Sequence, residues 1–381
     1  MEKERKTDSK PRSNVIGKII QFTSICLISL VLECAAILSF ARLRNRAKTR
    51  IRTEKGIQEQ LYARIGGIRQ YLSIRGNDRS NPVILFLHGG PAGPMGNTGS
   101  RWQTGLEDRF TIVHWDQRGC GRTYYENKGA PLPTTSLLLS DMDAIVDYLC
   151  DNLKQQKIII MGHSWGSMLG TLYIQLHPEK VAAYIGVGQG VNMMQGDIDS
   201  AQYAIELARK AGKEKEAEQL QVFSDEYVVS FSGDEFERKS ESLGKLRSLS
   251  YRFLPREGVK SIMYQLWLGL SSPDTSWRDA MWFLSMASGN ETLKSINQGL
   301  VEDCFAFDIH DVPSVYKMPV YYVMGIYDWT TPLSLVREYA KGIKAPAHQL
   351  IILDKAGHSP FFDNPDAFCE AVNDLAIQPT D

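Results

Sequence analysis

The sequence has little that would support binding to nucleic acid, to a metal or to a dinucleotide. Its formal net charge is only −1, so no overall basic character is available for a phosphate backbone. Its six cysteines include no Cys-x-x-Cys pair, and no cysteine–histidine group has the spacing of a zinc site. No Gly-x-Gly-x-x-Gly motif follows the first predicted strand. The sequence therefore predicts no nucleic-acid partner, no metal and no cofactor.

The overall composition is that of an ordinary globular protein. Hydrophobic residues make up 43% of the chain and charged residues 23%. A length of 381 residues is more than one average domain needs and less than three would need. The sequence has no internal repeat, and its composition excludes a disordered, collagen-like or disulfide-scaffold protein.

The N-terminal part contains an apolar run that is long enough to cross a membrane. Residues 19–41 carry one carboxylate, Glu33, and as a helix they would be about 34 Å long, against about 30 Å for a bilayer core. Six basic residues precede the run in a tail of residues 1–18, and six follow it. The run is longer than the core of a signal peptide. We therefore predict a single-pass membrane helix, with a cleaved signal sequence or a buried helix as the alternatives.

The stretch that follows, residues 42–60, is predicted to be a basic linker. It would either lie against anionic headgroups or form a solvated stalk. Because equal numbers of basic residues flank the span, their count does not choose a membrane side. The denser basic cluster after the span and the free cysteines favour a cytoplasmic domain, and a domain outside the cell is the alternative.

The rest of the chain alternates apolar strands with helices. A hairpin turns at Gly66-Gly67, and continuous apolar runs then occur at 83–87, 110–115, 157–161, 181–187, 320–324 and 349–353. Helical patterns occur at 137–153, 167–177 and 366–375. Apolar strands that alternate with helices predict an α/β fold with a mostly parallel sheet, covered by helices on both faces. We assign this core to residues 61–190 and 314–381.

Residues 191–313 differ from the core on either side. They are charged and helix-like, and they contain no buried-strand run. An insertion of this size between two core strands predicts a helical cap over the sheet. Its many aromatic residues between 241 and 290 either form the cap's own core or line a substrate pocket.

A candidate nucleophile lies in the sequence Gly162-His163-Ser164-Trp165-Gly166. This Gly-x-Ser-x-Gly pattern follows a predicted strand and opens a predicted helix, as in a nucleophile elbow. The glycines permit a sharp turn that holds Ser164 above the sheet, and the helix adds free N–H groups and the positive end of its dipole. We predict that Ser164 is the nucleophile and that His163 packs within the turn.

A loop rich in glycine and proline, residues 88–94, directly follows the strand at 83–87. An acyl-transfer enzyme needs two hydrogen-bond donors for the developing oxyanion, each worth about 3 kcal/mol. One N–H comes from the residue after the nucleophile, here Trp165, and we predict that Gly90 supplies the other. His88 is expected to be an ordinary hydrogen-bonding residue of the loop.

Two further candidate residues, Asp328 and His358, follow the last two predicted strands. A serine hydroxyl needs a base to take its proton, and a carboxylate must orient that base. In enzymes whose nucleophile lies in such an elbow, the chain order is nucleophile, acid, base, and Ser164, Asp328 and His358 follow that order. All three lie at strand ends that can meet at one edge of a sheet. Taken alone, Asp328 could instead cap a helix. Three other carboxylates fit the acid position less well because they precede the strand: Asp303, Asp308 and Asp311.

These motifs resemble those of α/β-hydrolase-fold enzymes and, more narrowly, of the proline iminopeptidase family. That family has His-Gly-Gly-Pro-Gly, Asp-Gln-Arg-Gly-x-Gly-Arg-Ser and Gly-x-Ser-Trp-Gly, and this chain has close matches at 88–93, 116–123 and 162–166. Ala92 stands where the family has glycine. The cap also lacks the Trp-x-x-Trp-Glu pattern whose glutamate binds the substrate's α-amine in family members. The sequence does not choose among cap carboxylates that could replace it, including Asp197, Asp199, Glu206 and Asp225.

The motifs and the resemblance together favour a membrane-anchored serine hydrolase that works through an acyl-enzyme. The resemblance implies an aminopeptidase that acts on short peptides. A carboxylesterase for small apolar esters is the alternative, because the cap's tryptophans could supply apolar walls. A non-catalytic binding protein on the same fold would normally have lost a member of the triad. Epoxide and haloalkane hydrolases of this fold need an aspartate where Ser164 stands.

Overall fold

An eight-stranded sheet forms the centre of the computed structural model, which describes residues 12–231 and 236–377, with side chains from residue 17 onward. Residues 1–11 of the predicted basic tail lie outside the described residues. The strands are β1 (Ile57–Ile65), β2 (Ile68–Gly76), β3 (Val83–Leu87), β4 (Thr111–Trp115), β5 (Ile158–His163), β6 (Val181–Val187), β7 (Val320–Gly325) and β8 (His348–Leu353).

The helices surround this sheet and also fill the insertion between β6 and β7. They are α1 (Arg12–Thr49), α2 (Gly121–Glu126), α3 (Thr135–Leu153), α4 (Trp165–Leu176), α5 (Met193–Lys210), α6 (Glu214–Ser230), α7 (Phe236–Ser250), α8 (Ile262–Ser271), α9 (Trp277–Ala287), α10 (Glu291–Ala306), α11 (Leu333–Gly342), α12 (Pro360–Asp363) and α13 (Pro365–Asn373).

The strand order is β1-β2-β4-β3-β5-β6-β7-β8, and all pairs from β4 to β8 in this order are parallel. The β1–β2 hairpin pairs antiparallel with β4, and its turn uses Gly66 and Gly67, both at positive φ. Every residue of β3, β4 and β5 is buried, as expected for strands covered on both faces. The prediction of a mostly parallel sheet with helices is confirmed.

Two apolar layers cover the sheet. Alternate side chains of β3 point to opposite faces, so Leu85 belongs to the layer formed with α3, α4 and α11, whereas Phe86 belongs to the layer formed with α13. In the second layer the ring centroids of Phe86 and Phe361 are 5.8 Å apart, in an edge-to-face arrangement. The carboxyl ends of the parallel strands are thereby held on a rigid support.

The insertion between β6 and β7 contains the helices α5–α10. Helices α5, α6 and α7 pack around their own apolar cluster, which includes Ala204, Leu220 and Leu246. Helix α9 contacts α2 of the core through Trp282, which packs beside Tyr124. We refer to α5–α10 as the cap.

Helix α1 is one continuous helix that includes the apolar run and extends beyond it to Thr49. Its part from Gly17 onward is long and apolar enough to cross a membrane, and the apolar window is not buried in the protein. The predicted linker of residues 42–60 is therefore wrong in its bounds, because α1 occupies its first part and β1 begins at Ile57. The assignment of the core from residue 61 likewise cuts β1. Hydrogen bonds to the cap, such as Asn45 Nδ2 to the Ser271 carbonyl at 2.9 Å, hold the end of α1 in place.

Candidate active site

Ser164 lies at a sharp turn between β5 and α4. Its backbone has φ 54° and ψ −121°, a conformation that non-glycine residues rarely adopt. A Cβ at Gly162 would lie 2.3 Å from the Gly166 carbonyl oxygen, and a Cβ at Gly166 would lie 2.1 Å from that of Leu87. Only glycine fits both positions. The Ser164 N–H donates to the Val187 carbonyl at 3.1 Å, which ties the turn to the end of β6.

Asp328 and His358 meet at the ends of β7 and β8. The His358 Nδ1 atom lies 3.0 Å from each carboxylate oxygen of Asp328. The buried Asp328 also accepts hydrogen bonds from the backbone N–H groups of Thr330 and Thr331, at 3.0 and 2.9 Å, and from Thr331 Oγ1 at 2.7 Å. A carboxylate held in this way orients the imidazole and stabilises its protonated form.

The pKa of Asp328 results from opposing effects. Burial favours the neutral acid, but the neighbouring His358 and the hydrogen bonds from Thr331 outweigh burial and hold the pKa of Asp328 below its usual value. The carboxylate is therefore charged at neutral pH. The alternative role of Asp328 as a helix N-cap is not what the structure shows, because the N-cap of α11 is Pro332.

The residue before Ser164 lies beside His358, since the ring centroids of His163 and His358 are 4.9 Å apart. A Cβ at Gly188 would lie 3.1 Å from His358 Nδ1, and a Cβ at Gly89 would lie 3.0 Å from Ser164 Cβ, so glycines leave both side chains room. Within the described residues no hydrogen bond joins Ser164 Oγ to His358. Such bonds are often loose in the absence of substrate and tighten when it binds.

The other two histidines near Ser164 are buried and neutral. Burial and the adjacent His358 lower the pKa of His163 to about 3, and burial lowers the pKa of His88 to about 4. His163 Nε2 donates to the His358 carbonyl at 2.9 Å, and His88 Nδ1 donates to the Gly89 carbonyl at 2.9 Å. Both residues therefore support the loops around the site and are poorly suited to be its base.

The two candidate oxyanion donors lie at the start of α4 and in the loop after β3. Trp165 is the first residue of α4, and Gly90 has φ 123° in the loop that follows β3. In the described part of the chain, neither backbone N–H donates to a protein acceptor. Gln117 accepts a 3.3 Å hydrogen bond from Trp165 Nε1, and its own N–H donates to His88 Nε2 at 3.4 Å. Gln117 thus connects the loop to the elbow.

The sequence analysis missed Thr331 and the role of Gln117. The spacing Asp328-x-x-Thr331 is a local signal for a side chain that can bond back to the aspartate. Gln117 belongs to the motif at 116–123, but its partners at His88 and Trp165 are distant in the sequence. The pattern alone therefore could not assign it a role.

The cap contacts the candidate oxyanion loop directly. Trp282 Nε1 of α9 donates to the Ala92 carbonyl at 3.1 Å, and Ala92 itself has φ 66°. Asn297 Nδ2 of α10 donates to the Gly119 carbonyl at 3.1 Å. The cap therefore helps to shape the loop that carries Gly90.

The cap carboxylates differ in their partners. Asp197 is buried and accepts hydrogen bonds from Arg247 Nε at 2.6 Å and from the Tyr227 hydroxyl at 3.0 Å. Its negative charge is therefore already compensated by Arg247. The other three candidates lie on half-buried or exposed positions: Asp199, Glu206 and Asp225. The structure does not bring any of these four into a described hydrogen bond with Ser164 or His358.

The three rival carboxylates for the acid position bind elsewhere. Asp303 accepts from Thr135, and Asp308 accepts from Asn192 and from His310. Asp311 is exposed.

A cleft of about 750 Å³ lies away from Ser164. It is lined by residues at or just beyond the end of α1, in β1 and in the segment before α9: Leu43, Arg46, Ala47, Arg50, Gln58, Gln60, Pro273 and Asp274.

Comparisons with known proteins agree with this fold and with these motifs. Residues 82–365 match the family model of the alpha/beta hydrolase fold. The chain is 27% identical to the probable aminopeptidase YbaC of Bacillus subtilis (strain 168) in an alignment of 320 residues. This alignment covers 81% of this chain and 93% of YbaC. It is 28% identical to the proline iminopeptidase of Neisseria gonorrhoeae in an alignment of 333 residues, and this alignment covers 82% of this chain and 95% of that protein.

Solved structures show the same fold. The proline iminopeptidase-related protein of Thermus thermophilus aligns with a TM-score of 0.55 at 21% identity, over 83% of this chain and 96% of that one. An esterase of Exiguobacterium antarcticum aligns with a TM-score of 0.50 at 16% identity, over 83% and 98%. With a family match that spans most of its length, the chain belongs to the alpha/beta hydrolase fold family, as a hydrolase that resembles the proline iminopeptidases.

Proposed function

We propose that this protein is a membrane-anchored serine hydrolase with the triad Ser164, Asp328 and His358. The observation that carries the proposal is the contact of His358 Nδ1 with both oxygens of the buried Asp328, at 3.0 Å each. The geometry of Ser164 also supports it, because a non-glycine residue at φ 54° is strained and strain of this kind is concentrated at functional sites.

In the proposed reaction, Ser164 Oγ attacks the substrate carbonyl while His358 Nε2 takes the hydroxyl proton. Asp328 stabilises the imidazolium that forms. The N–H groups of Gly90 and Trp165 donate to the oxyanion of the tetrahedral intermediate. His358 then protonates the leaving group, and water, activated by the same histidine, hydrolyses the acyl-enzyme.

The proposed substrates are short peptides with a free N-terminus. The probable aminopeptidase YbaC of B. subtilis and the proline iminopeptidase of N. gonorrhoeae align with this chain over about four fifths of its length. An aminopeptidase must pair the substrate's ammonium group with a carboxylate or with strong acceptors near the nucleophile.

A carboxylesterase is the second candidate, and the ion pairs of the cap favour it. The buried cap carboxylates Asp197 and Asp279 are bound by Arg247 and Arg122, so neither is free to bind an ammonium group. An esterase needs no such carboxylate, since apolar walls suffice to bind the acyl group.

Blocking the substrate's amine distinguishes the two candidates. We expect an alanine anilide to be hydrolysed with a kcat/KM about 10 to 100 times that of its N-acetylated form, because a charge-assisted contact is worth about 1.5–3 kcal/mol. Short-chain p-nitrophenyl esters serve as the comparison. An unchanged or higher kcat/KM for the acetylated form would overturn the aminopeptidase assignment and leave the esterase.

The proposed anchor is the part of α1 that precedes Arg42. We expect the full chain to resist carbonate extraction from membranes, and a chain that begins at Arg42 to be extracted. The shortened chain retains Arg42 and Asn45, whose side chains donate to the carbonyls of Leu270 and Ser271. Extraction of the full chain by carbonate would refute a spanning helix.

A further inference from the structure

Helix α8 of the cap exposes an apolar face. Large side chains are exposed at five positions with the spacing of one helix face: Ile262, Met263, Leu266, Trp267 and Leu270. The opposite side of α8 carries the buried Leu268 and Ser271. Met263 is 69% exposed, although a methionine gains free energy from burial.

The next helix, α9, repeats this arrangement. Its inner side carries Asp279 and Trp282, which bind the core, whereas Trp277 and Leu284 are 72% and 64% exposed. These two residues are seven positions apart and so lie on the same side of the helix. Two successive helices of one cap thus each expose large apolar side chains. Exposed apolar residues that occur in groups are typical of interaction sites.

The position of α8 is fixed against the end of the apolar run of α1. Within that run Leu38 and Ala41 are half-buried, and both lie on the same side of α1 as Asn45. Arg42 Nε donates to the Leu270 carbonyl at 2.8 Å, and Asn45 Nδ2 donates to the Ser271 carbonyl at 2.9 Å. The C-terminal end of α8 therefore lies where the proposed span leaves the membrane.

We infer that the apolar faces of α8 and α9 are seated in the surface layer of the bilayer that α1 spans, an inference that rests on the proposed anchor. Amphipathic helices lie in this layer with their apolar side chains toward the acyl chains. Tryptophans, here Trp267 and Trp277, favour the same depth.

The charge next to this surface supports the same occupant. Four basic residues follow the span on the exposed sides of α1 and just beyond its end: Arg44, Arg46, Lys48 and Arg50. Basic groups at this depth are attracted to anionic headgroups. The structure thus combines a spanning segment, a basic cluster and an apolar face, and it holds them together by hydrogen bonds.

This placement turns the cap toward the membrane. Because α9 also holds the Ala92 carbonyl through Trp282, the helices seated in the bilayer would be the same ones that shape the candidate oxyanion loop. Substrates dissolved in the surface layer would therefore reach the cap without crossing bulk water.

Quenching by brominated lipid tests the inference on the full chain. An environment-sensitive fluorophore is attached to Met263→Cys or to Leu284→Cys, and the protein is reconstituted in phosphatidylcholine nanodiscs with or without bromine on the acyl chains. Val222→Cys, at an exposed site on α6, is the matched control for the cap. The native Cys26, labelled in its own preparation, reports on the span. The other accessible cysteines are replaced by serine in each variant: Cys34 and Cys150, and also Cys26 where the cap is labelled.

We expect brominated lipid to reduce emission at least twofold for labels at 263, 284 and 26, and by less than a tenth at 222. Quenching at 26 without quenching at 263 and 284 would overturn the seated cap but leave the anchor intact. Blue-shifted emission at 263 and 284 without bromine quenching would mean that protein covers the face, which also overturns the inference. The absence of quenching at 26 would overturn both the anchor and the inference.

Discussion

Arg122 of the core and Asp279 of the cap form a buried ion pair in which three hydrogen bonds join the guanidinium to the carboxylate. Arg122 Nε lies 2.9 Å from Oδ1 of Asp279, and Nη2 lies 2.6 Å from Oδ2. Both side chains are 7% exposed. The guanidinium also lies 4.3 Å from the centre of the Tyr71 ring, and Asp279 closes a capping box with Ser276 at the start of α9. The pair thus fixes α9, and with it Trp282, over the candidate oxyanion loop.

Replacing Asp279 by asparagine should strongly destabilise the protein, because Arg122 would stay buried without its counter-charge. We expect a loss of about 3–5 kcal/mol in the free energy of unfolding, measured by chemical denaturation in detergent. Glu338→Gln is the control, since it breaks an exposed pair with Lys341 and should cost less than about 1 kcal/mol. Equal effects of the two substitutions would contradict a structural role for the buried pair.

Ser164→Ala should abolish labelling by a fluorophosphonate probe and leave the fold intact. The probe reacts with a serine only when a base has activated it, and Ser164 is the proposed nucleophile. Ser359→Ala is the matched control, because its hydroxyl lies at the same site, 3.4 Å from His163 Nε2, but outside the triad. Loss of labelling in the Ser359 variant with full labelling of the Ser164 variant would reverse the assignment.

Asp328→Asn should lower kcat on the order of 10³–10⁴-fold, with little change in KM, because an amide cannot stabilise the imidazolium of His358. Thr331→Val removes only the hydroxyl that donates to Asp328 and should lower kcat about tenfold, the effect of losing about 1.4 kcal/mol of transition-state stabilisation. Steady-state kinetics on one substrate checks both variants. A Thr331 variant as damaged as the Asp328 variant would show that the threonine itself takes part in proton transfer.

Asp116 should make stability depend on pH in a sense opposite to that of most carboxylates. Burial, and then the charge of Asp279, raise its pKa to about 7. A group whose pKa is raised on folding contributes stability that is complete below about pH 4 and lost as the pH rises through about 7. Asp116→Asn removes this dependence. The free energy of unfolding of the variant, relative to that of the native protein, should therefore rise by roughly a few kcal/mol between pH 4 and pH 8.

The control for this pH effect is Asp78, a partly exposed carboxylate whose pKa is lowered by hydrogen bonds from Ser80. A lowered pKa contributes stability that is lost as the pH falls, so the relative stability of Asp78→Asn should change in the opposite direction. Unfolding by denaturant at several pH values measures both. A flat difference for Asp116→Asn would mean that the carboxyl is already ionised at pH 4 in the folded protein.

Local pattern was enough to predict the sheet and the elbow. Apolar runs such as 83–87 specify strands buried on both faces, and the two glycines around Ser164 specify a turn that other residues cannot form. The bounds of α1 and β1 were not predictable in this way. Residues 42–50 fall in the predicted basic linker, which would lie against headgroups or form a solvated stalk, because the cap carbonyls that Arg42 and Asn45 bind are far away in the sequence.

The sequence by itself determined the fold family, the strand ends that carry Ser164, Asp328 and His358, and the presence of a long apolar helix, because each depends on residues close together in the chain. Only the tertiary structure decided which residues support them. Arg122 and Asp279 are 157 positions apart, and Asn45 and Ser271 are 226 apart. Contacts of this kind depend on how the cap packs on the core and on α1. No local spacing encodes that packing, and it decides which carboxylates are neutralised and which apolar faces stay exposed.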